Sequence, residues 1–494
     1  ICEIKPTKVL LALLQKLFKQ TFIYGVATVV PRMISFLLLP LYSAYLPTEG
    51  FGEVAIVFSW IAVFNVLLAY GMETSFFRFV HQENFRKEVV TTSSISLIVS
   101  TAIFMAIGFL LKDSISEATA IAQHYIVFVL LILGLDALVT IPFAWLRATE
   151  RPLVFALVKI GNVAINLGLN VFFIVLLPMW AEDSVMLQKI YRPDFEIAYI
   201  FISNLIASAL TLLAMLPFYL KLKYQFNTQL WKKMLRYGTP ILIAGIGFVI
   251  NEVFDKILLG WLLPQDIAKS EVGAYAACYR LALFMTLFAT AFRMGIEPFF
   301  FSHANEKDAT KTYALITRYF VIFGAAILIT ITVFSDLLKL LLIRDSSYWD
   351  AMVVVPMILM ANLFLGIYHN LSVWYKVSDR TKFAGYISIL GAIVTLALNF
   401  WLIPYFSYVG SAIATMAAYG SMMLLSFYFG RKYYPIPYDL KRIGSYLLLS
   451  ISFSVIYFYV FRNNYYLGSI LILIFFALIY YAEKDQLKQL LKKS

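Results

Sequence analysis

The chain has 494 residues, 62% of them hydrophobic and 14% charged, with a net charge of +12 and a mean hydropathy of +0.82. Soluble proteins carry about 25% charged and about 45–50% apolar residues, so these values exclude a soluble multidomain enzyme, a disordered chain and a soluble domain on a single anchor. The two cysteines, Cys2 and Cys278, support neither a disulfide framework nor a thiolate metal site.

Apolar runs bounded by charge and turn residues predict fourteen membrane-spanning helices, at 22–46, 52–71, 89–111, 121–146, 152–177, 197–220, 238–263, 272–300, 313–334, 351–375, 383–405, 409–429, 443–461 and 465–481. One span takes about 20 apolar residues, so fourteen use roughly 290 positions, close to the apolar share of the composition. The expected fold is an all-α polytopic membrane protein with no folded soluble module. Residues 8–20, with Lys8, Lys16 and Lys19 among leucines, read as an amphipathic interfacial helix. No cleavable signal peptide is expected, and Ile1 in place of Met suggests an altered or truncated start.

Lysine and arginine fall mostly on one set of connections: residues 1–21, 72–88, 147–151, 221–237, 301–312, 376–382, 430–442 and the C-terminal tail. That set holds about 27 basic residues and the alternate set about 7. The bias places the rich set, with both termini, in the cytoplasm. It absorbs most of the positive charge that in a soluble protein would point to nucleic acid.

The chain also repeats itself. Leu46-Pro47 followed by Phe51-Gly52 matches Leu263-Pro264 followed by Val272-Gly273, and Gly71-Met72-Glu73 matches Gly295-Ile296-Glu297. Glu150-Arg151 and Leu169-Asn170 match Asp379-Arg380 and Leu398-Asn399, all 229 positions on. The organisation expected is an N-terminus at 1–21, a six-helix lobe at 22–220, a cytoplasmic linker at 221–237, a second six-helix lobe at 238–429, and two further helices with a basic tail at 430–494. Matching elements enter from the same side, so the repeats are parallel.

Several short motifs, taken in order, resemble one family. They are Lys19-Gln20-Thr21-Phe22-Ile23-Tyr24-Gly25, the Leu46-Pro47 to Phe51-Gly52 turn, Gly71-Met72-Glu73-Thr74, Leu146-Arg147-Ala148-Thr149-Glu150-Arg151-Pro152, and Tyr237-Gly238-Thr239-Pro240 leading into Asn251-Glu252-Val253-Phe254-Asp255-Lys256. Together they resemble the Wzx-type polysaccharide-biosynthesis flippases of the multidrug/oligosaccharidyl-lipid/polysaccharide exporter superfamily, which includes MurJ and the MATE transporters. The resemblance implies two lobes around a central cavity that opens alternately to each side. It implies as substrate a lipid-linked oligosaccharide on a polyprenyl pyrophosphate carrier, a bacterial inner-membrane location, and work alongside glycosyltransferases and a polysaccharide polymerase. The two extra helices would form a groove for the polyprenyl tail.

Ionisable side chains at bilayer depth cost about 2.5–3.5 kcal/mol each on insertion scales and are functional hypotheses by default. Charges present in only one half are the better candidates for a substrate path. Arg32 lies about ten residues into the first helix, roughly 14 Å deep, after Pro31. A guanidinium there can hold a pyrophosphate or a buried partner. Lys159 and Asp136 are expected at similar depth on antiparallel neighbours, as a structural pair or a cation-coupled switch. Glu252, Asp255 and Lys256 lie in the seventh helix, the first two on one face. Asp255 and Arg280 are expected at matching depth, as an ion pair or a gate. Arg293 is a further candidate for the cavity. Asn170 and Asn399, shared by both halves, read as structural, and Arg78, Arg147 and Arg151 as cytoplasmic-loop charges. Tyr275, Tyr279, Trp60 and Trp374 read mainly as packing rather than sugar platforms. No histidine has a partner at metal-ligand spacing, and no cofactor or nucleotide motif is present.

Three functions are weighed. The first is a flippase driven by an ion gradient, the membrane potential or product consumption. The second is a MATE-type cation-coupled multidrug exporter, kept open by Asp136 and Asp255. The third is a membrane glycan polymerase, ligase or glycosyltransferase; its only sizeable loop, 178–196, reads as solvated.

Overall fold

The computed structural model describes residues 23, 25–80, 86–119, 121–302 and 308–493. The amphipathic segment at 8–20, His81, His303 and most of the opening motif lie outside them. Among the described residues the chain is nearly all helical, without strands. In chain order the long helices are α1 (Gly25–Tyr45), α2 (Thr48–Val80), α3 (Lys87–Leu110), α4 (Gln123–Ala148), α5 (Pro152–Ala181), α6 (Glu196–Leu220) and α7 (Thr228–Leu262). They continue with α8 (Gln265–Leu281 and Leu283–Ser302, joined at Ala282), α9 (Ala309–Val333) and α10 (Ser346–Val377). A single helical run, Lys382–Tyr433, is broken at Ser407, where φ is 47° and ψ is −133°, into α11 and α12. The last two are α13 (Leu440–Val460) and α14 (Tyr465–Lys493).

Of these, 11 helices are long and apolar enough to cross a membrane, or 12 if the pair making up α8, bent by 47°, is one span. The expected fourteen is therefore approximate, for two reasons. α11 and α12 run together through the Ser407 corner. α7 carries Glu252, Asp255 and Lys256 inside its apolar stretch. Large apolar side chains such as Leu157, Leu213, Trp401 and Leu473 stand exposed on the helices, as a surface bathed in hydrocarbon requires.

Contacts divide the chain into two compact units, Ile1–Ile257 and Leu258–Ser494, with the boundary inside α7. Each unit repeats the same local solutions. Pro47 and Pro264 are both extended residues that open a helix; proline lacks the N–H that a first turn cannot use. Glu150 and Asp379 both adopt the left-handed conformation, at φ 54° and 55°. In each case the following arginine closes a Schellman turn: Arg151 N–H donates to Leu146 at 2.9 Å and Arg380 N–H to Tyr375 at 2.8 Å. These turns, matched in the sequence, thus also match in backbone conformation.

In the first unit α2 breaks at Tyr70 and Gly71, with φ 30° and 72°. A Cβ on Gly71 would lie 2.3 Å from the Gly238 carbonyl oxygen, so only glycine lets α2 approach α7 there. Beyond the break, Ser75 Oγ donates to the Met234 carbonyl of α7 at 2.9 Å.

Asn170 and Asn399 are fully buried. Tyr42 Oη donates to Asn170 at 2.9 Å, which links α1 to α5. Ser411 Oγ donates to Asn399 at 2.9 Å across the α11–α12 corner.

In the second unit charged clusters tie α13 and α14 to α9 at both ends. Just past α9, Asp336 accepts two hydrogen bonds from the Arg462 guanidinium, at 2.8 and 2.9 Å, and Lys339 approaches it at 2.7 Å. Burial opposes the Asp336 charge, but the hydrogen bonds from Arg462 and Lys339 outweigh it and hold the carboxyl below its ordinary range. At the other end Glu483, 1% exposed, accepts from Tyr446 Oη at 2.6 Å and meets Arg442 at 3.2 Å and Arg318 of α9 at 3.6 Å.

Candidate functional site

A polar cavity of about 390 Å³ lies within the first unit, walled by α2, α4, α5 and α6. Helical spacing builds two of its walls. On α4, Asp136, Thr140, Phe143 and Arg147 recur at three- or four-residue intervals and so form one stripe; Phe155, Lys159 and Asn162 do the same on α5. Asn65 and Glu73 contribute from α2 and Thr211 from α6.

Asp136 is half-buried and its carboxylate accepts from Ser208 Oγ of α6 at 2.8 Å. Asn162 Nδ2 donates to Thr211 Oγ1 at 2.9 Å. The Arg147 guanidinium donates to Glu73 and lies 4.6 Å from the Phe77 ring centre. Lys159 is exposed, with its ammonium 4.7 Å above the ring of Phe143. Asp136 and Lys159 line the same cavity, but no approach within 4.0 Å makes them an ion pair. The two charges act on each other electrostatically without direct contact. The carboxylate is held by a hydroxyl and the ammonium by an aromatic face, which leaves the ammonium able to receive an anion.

The remaining predicted positions do not line this cavity. Arg32 is exposed on α1 and does not line this cavity. Asp255 is 3% exposed and accepts from the Lys256 ammonium at 3.0 Å, whereas Glu252 is exposed. The i, i+3 spacing on α7 thus separates their environments. Arg280 belongs to the second unit, at the end of the first half of α8. Arg293, also in that unit, is half-buried with Nη1 3.5 Å from His369 Nε2 of α10. Tyr275 and Trp374 are buried in the packing, at 0% and 1% exposed.

Sequence reasoning placed Arg147 in a loop; the structure puts it on the cavity wall with Glu73. Two signals pointed there. Arg147 continues the α4 stripe from Asp136, and the second unit carries the matching pair, with Lys376 reaching Glu297 at 2.5 Å. Asn65, Asn162, Ser208 and Thr211 were missed because uncharged polar residues are common in membrane helices. The positions matching Asp136 and Lys159, 229 residues on, are Leu365 and Ser388, so these two charges exist in one unit only.

The family model described as "Polysaccharide biosynthesis protein" matches residues 17–302. The chain belongs to that family. A second model, MatE, matches residues 240–401. This family member is 22% identical, over 59% of its own length and 68% of the other's, to a protein of the Lsg locus of Haemophilus influenzae. Its fold is similar to that of the lipid II flippase MurJ in an inward closed conformation, with a TM-score of 0.72 at 16% identity over 93% of this chain and 99% of that one. It is also similar to an inward-facing multidrug resistance MATE transporter of the MOP superfamily, with a TM-score of 0.63 at 13% identity over 84% and 95% of the two chains. The structural likenesses establish a MurJ- and MATE-type fold, and the family match establishes the polysaccharide-biosynthesis branch within it.

Proposed function

We propose that the protein is a flippase that moves a polyprenyl-pyrophosphate-linked oligosaccharide, such as an O-antigen, capsule or exopolysaccharide repeat unit, across the bacterial inner membrane by alternating access. The observation that carries this reading is the Lys159 ammonium, which lines a polar cavity among membrane-spanning helices and stands over the Phe143 ring, with no carboxylate within 4.0 Å. An ammonium so placed favours an anionic head group, and the adjacent Arg147 can share a phosphate oxygen while keeping Glu73. Arg32, Arg280 and Arg293 are proposed as further contacts along the path. Asp136 and the cluster of Glu252, Asp255 and Lys256 are proposed as coupling or gating groups. The energy source in this reading is an ion gradient or the membrane potential, with no cofactor. Both termini lie in the cytoplasm, and glycosyltransferases and a polymerase are the functional partners.

Export of polyprenyl-linked glycan in cells tests the reading: Lys159→Ala abolishes it while the protein still inserts, and Lys159→Arg retains a substantial part. Normal export by the alanine variant refutes it. Asp136 in the same cavity, together with the MatE match, favours a second reading, cation-coupled export of cationic drugs. That reading requires drug resistance conferred by the wild type and lost in Asp136→Asn.

A further inference from the structure

A second cleft in the first unit, of about 610 Å³, opens where α3 begins and where α4 and α6 end. It lies on the other side of α4 from the polar cavity. Phe143 and Arg147 face the cavity, while Trp145 and Thr149, two residues on from each, face the cleft. Its walls are apolar: Trp145 and Phe218 pack with ring centres 5.5 Å apart, beside Val90 and Leu222. Its rim carries Lys87, Lys221 and Lys223.

The cleft is a built feature. Thr91 Oγ1 donates to the Gln225 carbonyl at 2.8 Å, which fastens the segment after α6 onto α3. Glu88 is the carboxylate on the rim, and it is occupied by Asn227 Nδ2 at 2.6 Å. None of the three rim lysines forms an ion pair among the described residues. Arg151, which does not line the cleft, has its guanidinium 5.1 Å from the centre of the Trp145 ring. The depth is that of the membrane boundary, because Lys87 opens one apolar span while Ala148 and Leu220 close two others. Tryptophan and lysine at this level meet head groups, with apolar wall below and charge above.

We propose that this cleft binds the phosphorylated head group of an anionic membrane phospholipid, with the upper part of an acyl chain against Trp145, Phe218 and Leu222. Lysine ammoniums are compact point charges suited to a phosphate that is also contacted by water. The occupied cleft braces the last turn of α4, whose opposite side presents Arg147 to the cavity. The site is independent of what the protein transports.

The test is native mass spectrometry of the purified full chain given equal amounts of phosphatidylglycerol and phosphatidylcholine, with and without millimolar inorganic phosphate. The wild type retains phosphatidylglycerol preferentially, and phosphate does not displace it. Each basic residue near an anionic lipid contributes roughly fivefold, so Lys87→Gln/Lys221→Gln/Lys223→Gln lowers the preference at least about tenfold. Lys112→Gln/Lys189→Gln, outside the cleft, leaves it unchanged. Leu222→Glu, which puts a carboxylate in the apolar wall, lowers it without removing a lysine. Equal retention of the two lipids, an unchanged preference in both cleft variants, or displacement by inorganic phosphate alone overturns the proposal.

Discussion

Arg147, in the last turn of α4, donates to Glu73 on α2, and in the second unit Lys376 reaches Glu297 at the matching place, at 2.5 Å. The chain has kept one carboxylate–cation link in each unit through the divergence of its halves. Beside the first link alone stand Asp136 and Lys159. The carboxylate–cation link is thus common to both units, whereas Asp136 and Lys159 have Leu365 and Ser388 at the matching positions.

The Arg147–Glu73 link is partly exposed, at 35% and 41% for the two side chains, so its contribution to stability is small, about 1 kcal/mol or less. A double-mutant cycle with Glu73→Gln and Arg147→Gln should return a coupling of that size in thermal melts of the purified protein. Transport should fall much further in Arg147→Gln than stability does, because the guanidinium also faces the cavity.

Gly71→Ala is expected to damage the fold itself. The added Cβ would stand 2.3 Å from the Gly238 carbonyl oxygen at a φ of 72°. Overpacking and backbone strain together cost on the order of 2–4 kcal/mol. Reduced membrane yield and a lowered melting temperature are the expected readings, whereas Gly161→Ala, with nothing within 4 Å of its Cβ, should be neutral.

Asp336 makes the attachment of α13 and α14 dependent on pH. Its folded value lies below its ordinary value of about 3.9. Its contribution is therefore complete at neutral pH and is lost as pH falls through and below about 4. Hydrogen exchange in residues 440–460 should rise over that acid range in the wild type. Asp336→Asn should show raised exchange already at neutral pH and a smaller further rise on acidification than the wild type, because Glu483 still ties the other end.

Much of this architecture was readable from the residues because membrane spans announce themselves by length and apolarity, and repeated turns by Leu-Pro and acidic-Arg pairs. The count blurred where composition and geometry part company: Ser407 bends a continuous helix, and α7 hides charges within an apolar run. Asp136 and Lys159 were found because a charge at bilayer depth stands out. Arg318 and Glu483 were overlooked since neither draws notice alone; each is tolerated because a distant helix supplies its partner. Whether two charges touch is a matter of a few ångströms, so spacing placed Asp136 and Lys159 on one cavity but not whether they meet; they interact electrostatically without contact within 4.0 Å.

In the proposed function an anionic lipid-linked glycan crosses the membrane by way of Lys159. The most direct measurement is flipping of a fluorescent polyprenyl-pyrophosphate oligosaccharide in proteoliposomes holding equal amounts of wild type, Lys159→Arg or Lys159→Ala. Rapid flipping by the wild type, slower flipping by the arginine variant, and a rate near that of empty liposomes for the alanine variant are expected. Equal rates for the wild type and the alanine variant, or no flipping above empty liposomes by the wild type, would contradict the proposed function.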